Sequence, residues 1–475
     1  MTRTIPSARG FIAAVLLAAS SCGSSDDNRP TVVLVTLDTT RADHLGCYGY
    51  EREGASPRID ALAEEGVLFE SAISQAAVTP VSHASIFTGL NPFNHGLRVM
   101  HSVSQNTLRP ECVTLAEVLR DEGYETGAFV SAFPVTEYFG FRQGFDHFDE
   151  AFDQSQGVVT EAGSVNTGSA QRHAGATTDR ALAWMRERDE PFFLWLHYFD
   201  PHDPKVMPPP EELDGVSFPQ KPRERLRAIY AFELTYMDRQ LGRVFDELER
   251  MGLWDEAVVV VTSDHGEGLG DHDWWTHGLL YQEQVRVPLV VKAPGIVRGH
   301  RVASVVRSID ILPTVGELLG LGAEDLPVMD GASLVPLLRA ERDDLGLEAY
   351  SDSVAQMVYR FAPEMAPGIV DDKNDMHFAV VVEGRWKFIF HLGQRANSEL
   401  YDLESDPQEL RNLYDERPDV VERANAMLKE FEFVPTKQLQ QHDLPPDALE
   451  KLSSLGYTGE PSLDEPSEGE DDESE

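Results

Sequence analysis

Thr31-Val-Val-Leu-Val-Thr-Leu37-Asp38 is the stretch that decides the fold. Its run is apolar and β-branched from end to end, and a strand with one wet face would alternate instead. A strand without a polar face is buried on both sides, the habit of parallel sheets covered by helices. Comparable runs recur at Ala128–Ala132, Phe192–Phe199, Ala257–Thr262 and Val287–Val291, with helical segments between them. The alternation predicts an α/β protein with a doubly wound, mostly parallel central sheet.

Local punctuation supports the helices. Ser56 can cap a helix, Pro57 suits its first position and Gly66 its stop. Thr114 with Glu117 three residues on forms a capping-box pattern, and that helix stops at Gly123. Apolar residues at helical spacing run from Arg223 to Met251, with Gly252 as the stop. Past about residue 340 the pattern changes. Phe378–Glu383 and Arg385–Leu392 read as two strands joined at a Glu383-Gly384 turn, which predicts a smaller antiparallel α+β subdomain. The expected division is a leader over residues 1–22, a linker over 23–30, a catalytic domain over 31–340, the C-terminal subdomain over 341–440 and an acidic, disordered tail over 441–475.

With 475 residues, one large domain plus a smaller one is the natural expectation. Lys and Arg total 40 against 81 Asp and Glu, a formal net charge of −41, and the eight acidic residues between Pro461 and Glu475 account for little of it. Such a field argues against nucleic acid, which binds through cationic contacts to phosphate. It also repels an anionic ester, so a site for one needs local positive charge from a metal or from histidines. At the N-terminus Arg3 and Arg9 precede an apolar run from Phe11 to Ala19, too short to span a bilayer and laid out as a signal peptide. The small residues before Cys22 resemble a bacterial lipoprotein cleavage site, so the expected location is the periplasm or a membrane-anchored lipoprotein, with contact to the membrane only through the lipid. The alternative is an ordinary signal peptide cut nearby. Whether Cys47 and Cys112 pair is left open by the sequence, and so is the oligomeric state.

Ligands in open α/β sheets gather where strands deliver their C-terminal ends. Asp38 ends the first strand, Asp264-His265 follows Ala257–Thr262, and Asp200-Pro201-His202 follows Phe192–Phe199. Asp38 and Asp264 supply hard carboxylate oxygens and His265 an imidazole nitrogen, sufficient with the Thr79 oxygen to hold one divalent cation. Thr79 precedes a helix predicted over Ser82–Phe87, whose N-terminus favours negative charge. The plainer reading of Thr79 is an N-cap.

Around that residue the chain reads Thr79-Pro-Val-Ser-His83-Ala-Ser-Ile-Phe-Thr-Gly89, which resembles the signature of the sulfatase family in the alkaline phosphatase superfamily: Cys/Ser-x-Pro-Ser/Ala-Arg, then a helix ending in Thr-Gly. On that pattern Thr79 occupies the nucleophile position, Val81 replaces proline and His83 replaces arginine. Sulfatases of this kind oxidise the Cys or Ser to formylglycine. Threonine cannot supply that aldehyde, so no formylglycine is expected. In phosphodiesterase-like members of the wider superfamily a metal-held threonine is the nucleophile. The resemblance, which spans Thr31 to Leu413, implies an alkaline-phosphatase-like fold and the metal ligands Asp38, Thr79, Asp264 and His265, a set also similar to the lipoteichoic acid synthase branch. Where sulfatases usually show a second aspartate after the first, this chain has Thr39, which makes manganese, zinc or magnesium more competitive with calcium. His277 falls where they place a lysine, and His202 resembles the histidine they aim at the transferred group. His83, His202 and His277 are thus the candidates beside Thr79 for catalysis, ahead of His197, Glu267 and His272. The implied activity is that of an exported, metal-dependent hydrolase of a phosphate mono- or diester, or of a sulfate ester, and its implied partner an anionic ester. The alternatives are a sulfatase proper, a phospho-head-group transferase and a binding homologue that no longer turns over.

Overall fold

The computed structural model of the protein describes residues 29–52, 54–97, 107–152, 158–159, 165–166, 171–188, 191–202, 208–354, 376–392 and 395–430. Cys22, the linker before Arg29 and the acidic tail lie outside the described residues.

Val32–Leu37 (β1) is a strand buried at every position, as its composition demands. In chain order it is followed by β2 (Val67–Ile73), β3 (Glu125–Val130), β4 (His147–Asp149), the two-residue β5 (Val158–Val159) and β6 (Val165–Asn166), β7 (Phe192–Tyr198), β8 (Val258–Thr262), β9 (Arg286–Lys292) and β10 (His300–Arg307). Eight of these build one sheet in the order β10-β2-β9-β8-β1-β7-β3-β4. β1 pairs in parallel with β7 and β8, while β9 runs antiparallel to both of its neighbours. The sheet is therefore mixed but mostly parallel, as expected.

The pleat explains why β1 carries no polar face. Val32 and Leu34 point into one core with Trp195, Val258 and Val260, whereas Val33, Val35 and Leu37 point into another with Leu194, Leu196, Val259 and Val261. Each fully buried Val or Leu adds about 1.5–3 kcal/mol relative to exposure. Helix Thr79–Thr88 lies on the first core through Val81, Ala84, Ile86 and Phe87. Helix Pro222–Arg250 covers the second with Tyr230, Leu234, Met237, Leu241 and Leu248.

Several local expectations are refined. The capping box forms, with Glu117 N donating to Thr114 Oγ1 at 3.2 Å and Thr114 N donating to Glu117 Oε2 at 2.9 Å. Ser56, by contrast, does not cap its helix. Its hydroxyl donates to Asp60 Oδ1 at 3.0 Å, and the first-turn amides of Arg58 and Ile59 donate instead to Asp238 of the long helix, at 3.0 and 2.9 Å. Gly66 ends the helix in an extended conformation rather than a left-handed one, at φ −110°. A side chain is excluded there because a Cβ would lie 2.5 Å from Val291 O.

β11 (Ala349–Val354), β12 (Met376–Val382), β13 (Trp386–His391) and β14 (Glu399–Asp402) form a separate antiparallel sheet in that order. Glu383 and Gly384 both take positive φ in the turn between β12 and β13, as a tight hairpin requires. Helix Pro418–Glu430 packs Val420, Ala424, Met427 and Leu428 against this sheet. No helix among the described residues is long and apolar enough to cross a membrane.

Candidate active site

The order β8-β1-β7 puts the three predicted strand ends side by side. Thr36 of β1 stands opposite His197 on one flank and Thr262 on the other, so the residues that follow leave the sheet along a single edge. Asp38 continues the β1–β7 ladder by donating its amide to Tyr198 O at 2.8 Å. Its carboxylate meets Asp264 and His265: one ligand atom from each of the three lies within 4.8 Å of the others, and all three residues are buried.

This group fits a divalent cation by the state of its atoms. Asp38 Oδ1 is buried and has no hydrogen-bond partner among the described residues. Asp264 Oδ1 accepts from the amides of Thr39 and His265, at 3.2 and 2.8 Å, which aims the carboxylate. His265 Nδ1 lies 2.9 Å from Gly266 O and so carries the proton it donates there, which leaves Nε2 with its lone pair toward Asp264 Oδ2 and Thr79 Oγ1, each at 3.3 Å. Gly266 is required in this turn, since a Cβ would lie 2.0 Å from Glu283 O. Burial lifts the Asp38 carboxyl to about 7 and raises that of Asp264, and the charge of Asp38 raises Asp264 further. Two buried carboxylates at such separation call for positive charge between them.

Thr79 is the first residue of its helix and not its N-cap, which is Val78. The helix therefore starts three residues before Ser82, because Pro80 suits the first turn and Ser82 Oγ closes that turn on the carbonyls of Val78 and Thr79, both at 3.0 Å. Thr39, in place of the second aspartate, adopts φ 53°. A β-branched residue in the left-handed region is strained. Its amide donates to Asp264, its carbonyl accepts from Tyr230 OH at 2.8 Å, and its buried hydroxyl has no hydrogen-bond partner among the described residues.

The candidate histidines separate into two groups. His83 is enclosed behind Thr79: Trp195 Nε1 donates to Thr36 Oγ1, Thr36 Oγ1 lies 3.0 Å from His83 Nε2, and His83 Nδ1 lies 2.8 Å from Thr79 O. Both of its nitrogens are thus engaged, and burial holds it neutral, down at about 3. It steadies the start of the Thr79 helix and stands against the metal-ligand group, with Nδ1 3.5 Å from Asp264 Oδ2. His277 and His202 approach the same group from the side of His265. The His277 ring centroid is 4.6 Å from that of His265 and 5.0 Å from that of His202, which stacks on Phe199 at 4.1 Å. Glu267 Oε2 sits 3.3 Å from His277 Nδ1, and burial lifts the Glu267 carboxyl to about 8, so its protonated form donates to Nδ1, orients the ring and leaves the ring proton on Nε2. Desolvation lowers His277 to about 4 and His202 well below its ordinary value, so both present neutral imidazoles.

Two residues matter more than the sequence suggested. His197 Nε2 lies 3.2 Å from Asp38 Oδ2 and sets that carboxylate, and Arg41, buried, binds the carbonyls of Glu267 and Gly268, each at 3.2 Å. The signal for His197 was available: it and Thr36 are polar residues inside otherwise apolar strands, both one step short of the strand end.

A family model described as Sulfatase matches residues 30–321, and one described as N-sulphoglucosamine sulphohydrolase, C-terminal, matches residues 270–434. The multifunctional alkaline phosphatase superfamily protein PehA of Trinickia caryophylli is 27% identical over 480 residues, covering 81% of this chain and 91% of PehA. An arylsulfatase of Clostridium perfringens is 26% identical over 475 residues, covering 83% and 93%. In fold, the phosphonate monoester hydrolase of Agrobacterium radiobacter superposes with a TM-score of 0.66 at 23% identity, over 85% of this chain and 95% of the other.

Proposed function

Because this chain belongs to the sulfatase family and is an ester hydrolase, we propose that it cleaves a phosphate mono- or diester, or a sulfate ester, with Thr79 as nucleophile. The observation that carries this reading is the Thr79 hydroxyl, fully buried and 3.3 Å from His265 Nε2, beside the Asp38–Asp264–His265 group. Asp38, Asp264, His265 and the Thr79 oxygen would hold one divalent cation, which when bound polarises the ester and lowers the pKa of the hydroxyl. Thr79 attacks sulfur or phosphorus in line as the bond from that atom to the leaving oxygen breaks, the threonine hydroxyl losing its proton to solvent and the departing oxygen taking one up to leave as the alcohol. His202 and His277 donate hydrogen bonds to the oxygens of the transferred group as negative charge develops on them. Water then clears the group from Thr79.

Phosphate esters are favoured by the threonine, and a sulfate ester is the second reading, supported by the likeness to an arylsulfatase. The test is a panel of aryl phosphate, phosphodiester, phosphonate monoester and sulfate substrates, with the purified protein loaded in turn with calcium, manganese, zinc and magnesium. We expect the phosphorus esters to turn over fastest. Absence of release from every ester with every metal would leave the binding homologue as the better account, and transfer of the group to an added alcohol in preference to water would favour the transferase.

We also propose export and lipid anchoring at Cys22. Cys22→Ser then frees the protein from membranes, because the thioether-linked lipid is its anchor. Fractionation checks this, and a wild type that is already soluble in the periplasm contradicts it.

A further inference from the structure

The segment that carries His277 is backbone under strain. Leu269, His272 and Asp273 take φ 51°, 49° and 55°, three non-glycine residues in the left-handed region within five positions. Such conformations persist only where their surroundings over-determine them. On the N-terminal side the hold comes from Arg41, whose Nη1 lies 2.8 Å from Asp271 Oδ2. On the other side it comes from the C-terminal sheet.

Lys387 of β13 and Glu409 form an ion pair at 2.7 Å, with side chains 1% and 0% exposed. Few places justify that desolvation, and replacing such a pair with apolar groups often stabilises a protein. The second oxygen of Glu409 accepts from the Gln282 amide, and its carbonyl lies 3.2 Å from His272 Nε2. His272 Nδ1 faces Glu283 Oε1 at 3.0 Å. Both ring nitrogens therefore face acceptors, so both carry protons and the ring is a cation. That cation lies flat on Tyr281, 3.8 Å between centroids at an interplanar angle of 2°. Tyr281 OH in turn donates to Glu399 of β14 at 3.0 Å. Glu409 thus grips both ends of the stretch His272–Gln282, with His277 at its middle. Ser353 of β11 adds a hydrogen bond to the carbonyl of Gly278, next to that histidine.

We propose that the buried Lys387–Glu409 pair is a positioning device, which seats His272 and Gln282 so that the ring of His277 stays in register with His265. The proposal rests on the role given to His277 above. It assigns the C-terminal sheet a part in turnover without contact with substrate.

A double-mutant cycle tests it in the full-length, metal-loaded protein. The combined change Lys387→Met with Glu409→Gln removes both charges and leaves neither buried alone. The milder His272→Phe keeps the stack on Tyr281 and removes both hydrogen bonds. Each should lower kcat by about 10- to 100-fold, the scale of a misplaced catalytic group, with KM and metal content unchanged. In a His277→Ala background the same changes should cost less than twofold. An equal loss in both backgrounds means general destabilisation and overturns the proposal, as does an unchanged kcat. If the Lys387/Glu409 variant does not fold, His272→Phe decides alone. If His277→Ala itself costs nothing, the role of His277 fails and the positioning proposal with it, whereas a costly His277→Ala with no coupling defeats the positioning proposal only.

Discussion

Thr79→Ala lowers turnover by about 10³-fold or more, the scale of losing a nucleophile, while metal stays largely bound through Asp38, Asp264 and His265. The protein should still fold, since Thr79 sits in a helical turn that alanine suits and Ser82 and His83 bond to its carbonyl, not to its side chain. Thr79→Ser should keep part of the rate because only a methyl group is lost. Thr79→Cys separates this site from the formylglycine enzymes: without the proline and arginine of their signature, the cysteine should remain a thiol. Quenching the wild type with substrate and mapping peptides by mass spectrometry should find a phosphoryl or sulfuryl group on the peptide containing Thr79. If no adduct forms and Thr79→Ala keeps its activity, the nucleophile is not this residue.

The second large effect is expected for Asp264→Asn. Removing one carboxylate should weaken metal binding by at least about 100-fold, since even residues that only orient ligands are worth 10–100-fold, and turnover should fall with occupancy. The metal-free protein should respond in the opposite sense. Asparagine can still accept from the amides of Thr39 and His265, and it ends the repulsion that, with burial, raises the Asp264 carboxyl beside Asp38. The variant should therefore melt no lower than wild type without metal, yet gain less when metal is added. Metal analysis and paired melting curves read both halves. Full occupancy with unchanged turnover would remove Asp264 from the site.

What the sequence made legible follows from how strongly each position is constrained. β1, β7 and β8 could be read because burial on both faces leaves little choice but β-branched and aromatic residues. β10 could not. It is an edge strand with Arg301 and Ala303 exposed, so its apolar pattern is broken, and β2 next to it carries Glu70 and Ser71 at half-buried positions. Asp38, Asp264 and His265 could be placed together because strand ends of a parallel sheet share an edge. The cap of helix Pro57–Glu65 was out of reach, because Asp238 lies far along the chain and nothing local marks it. His83 was read as a catalytic candidate from its place in a motif, whereas its ties to Thr36 of another strand and, at 3.5 Å, to Asp264 Oδ2 come only with the fold. Sequence spacing along one element cannot show which side of a helix start is already filled.

The backbone at Thr39 bears on how this site could be altered. Aspartate enters the left-handed region several times more readily than a β-branched residue, for which the conformation costs of order 1–3 kcal/mol. Local folding therefore pulls position 39 toward the residue that formylglycine sulfatases usually have there, and the threonine is held against that pull. Introducing a second carboxylate at this strand end would run downhill for the main chain, with only the added charge to oppose it. A designer who wants to shift this centre toward harder, larger cations starts with the conformation already in favour.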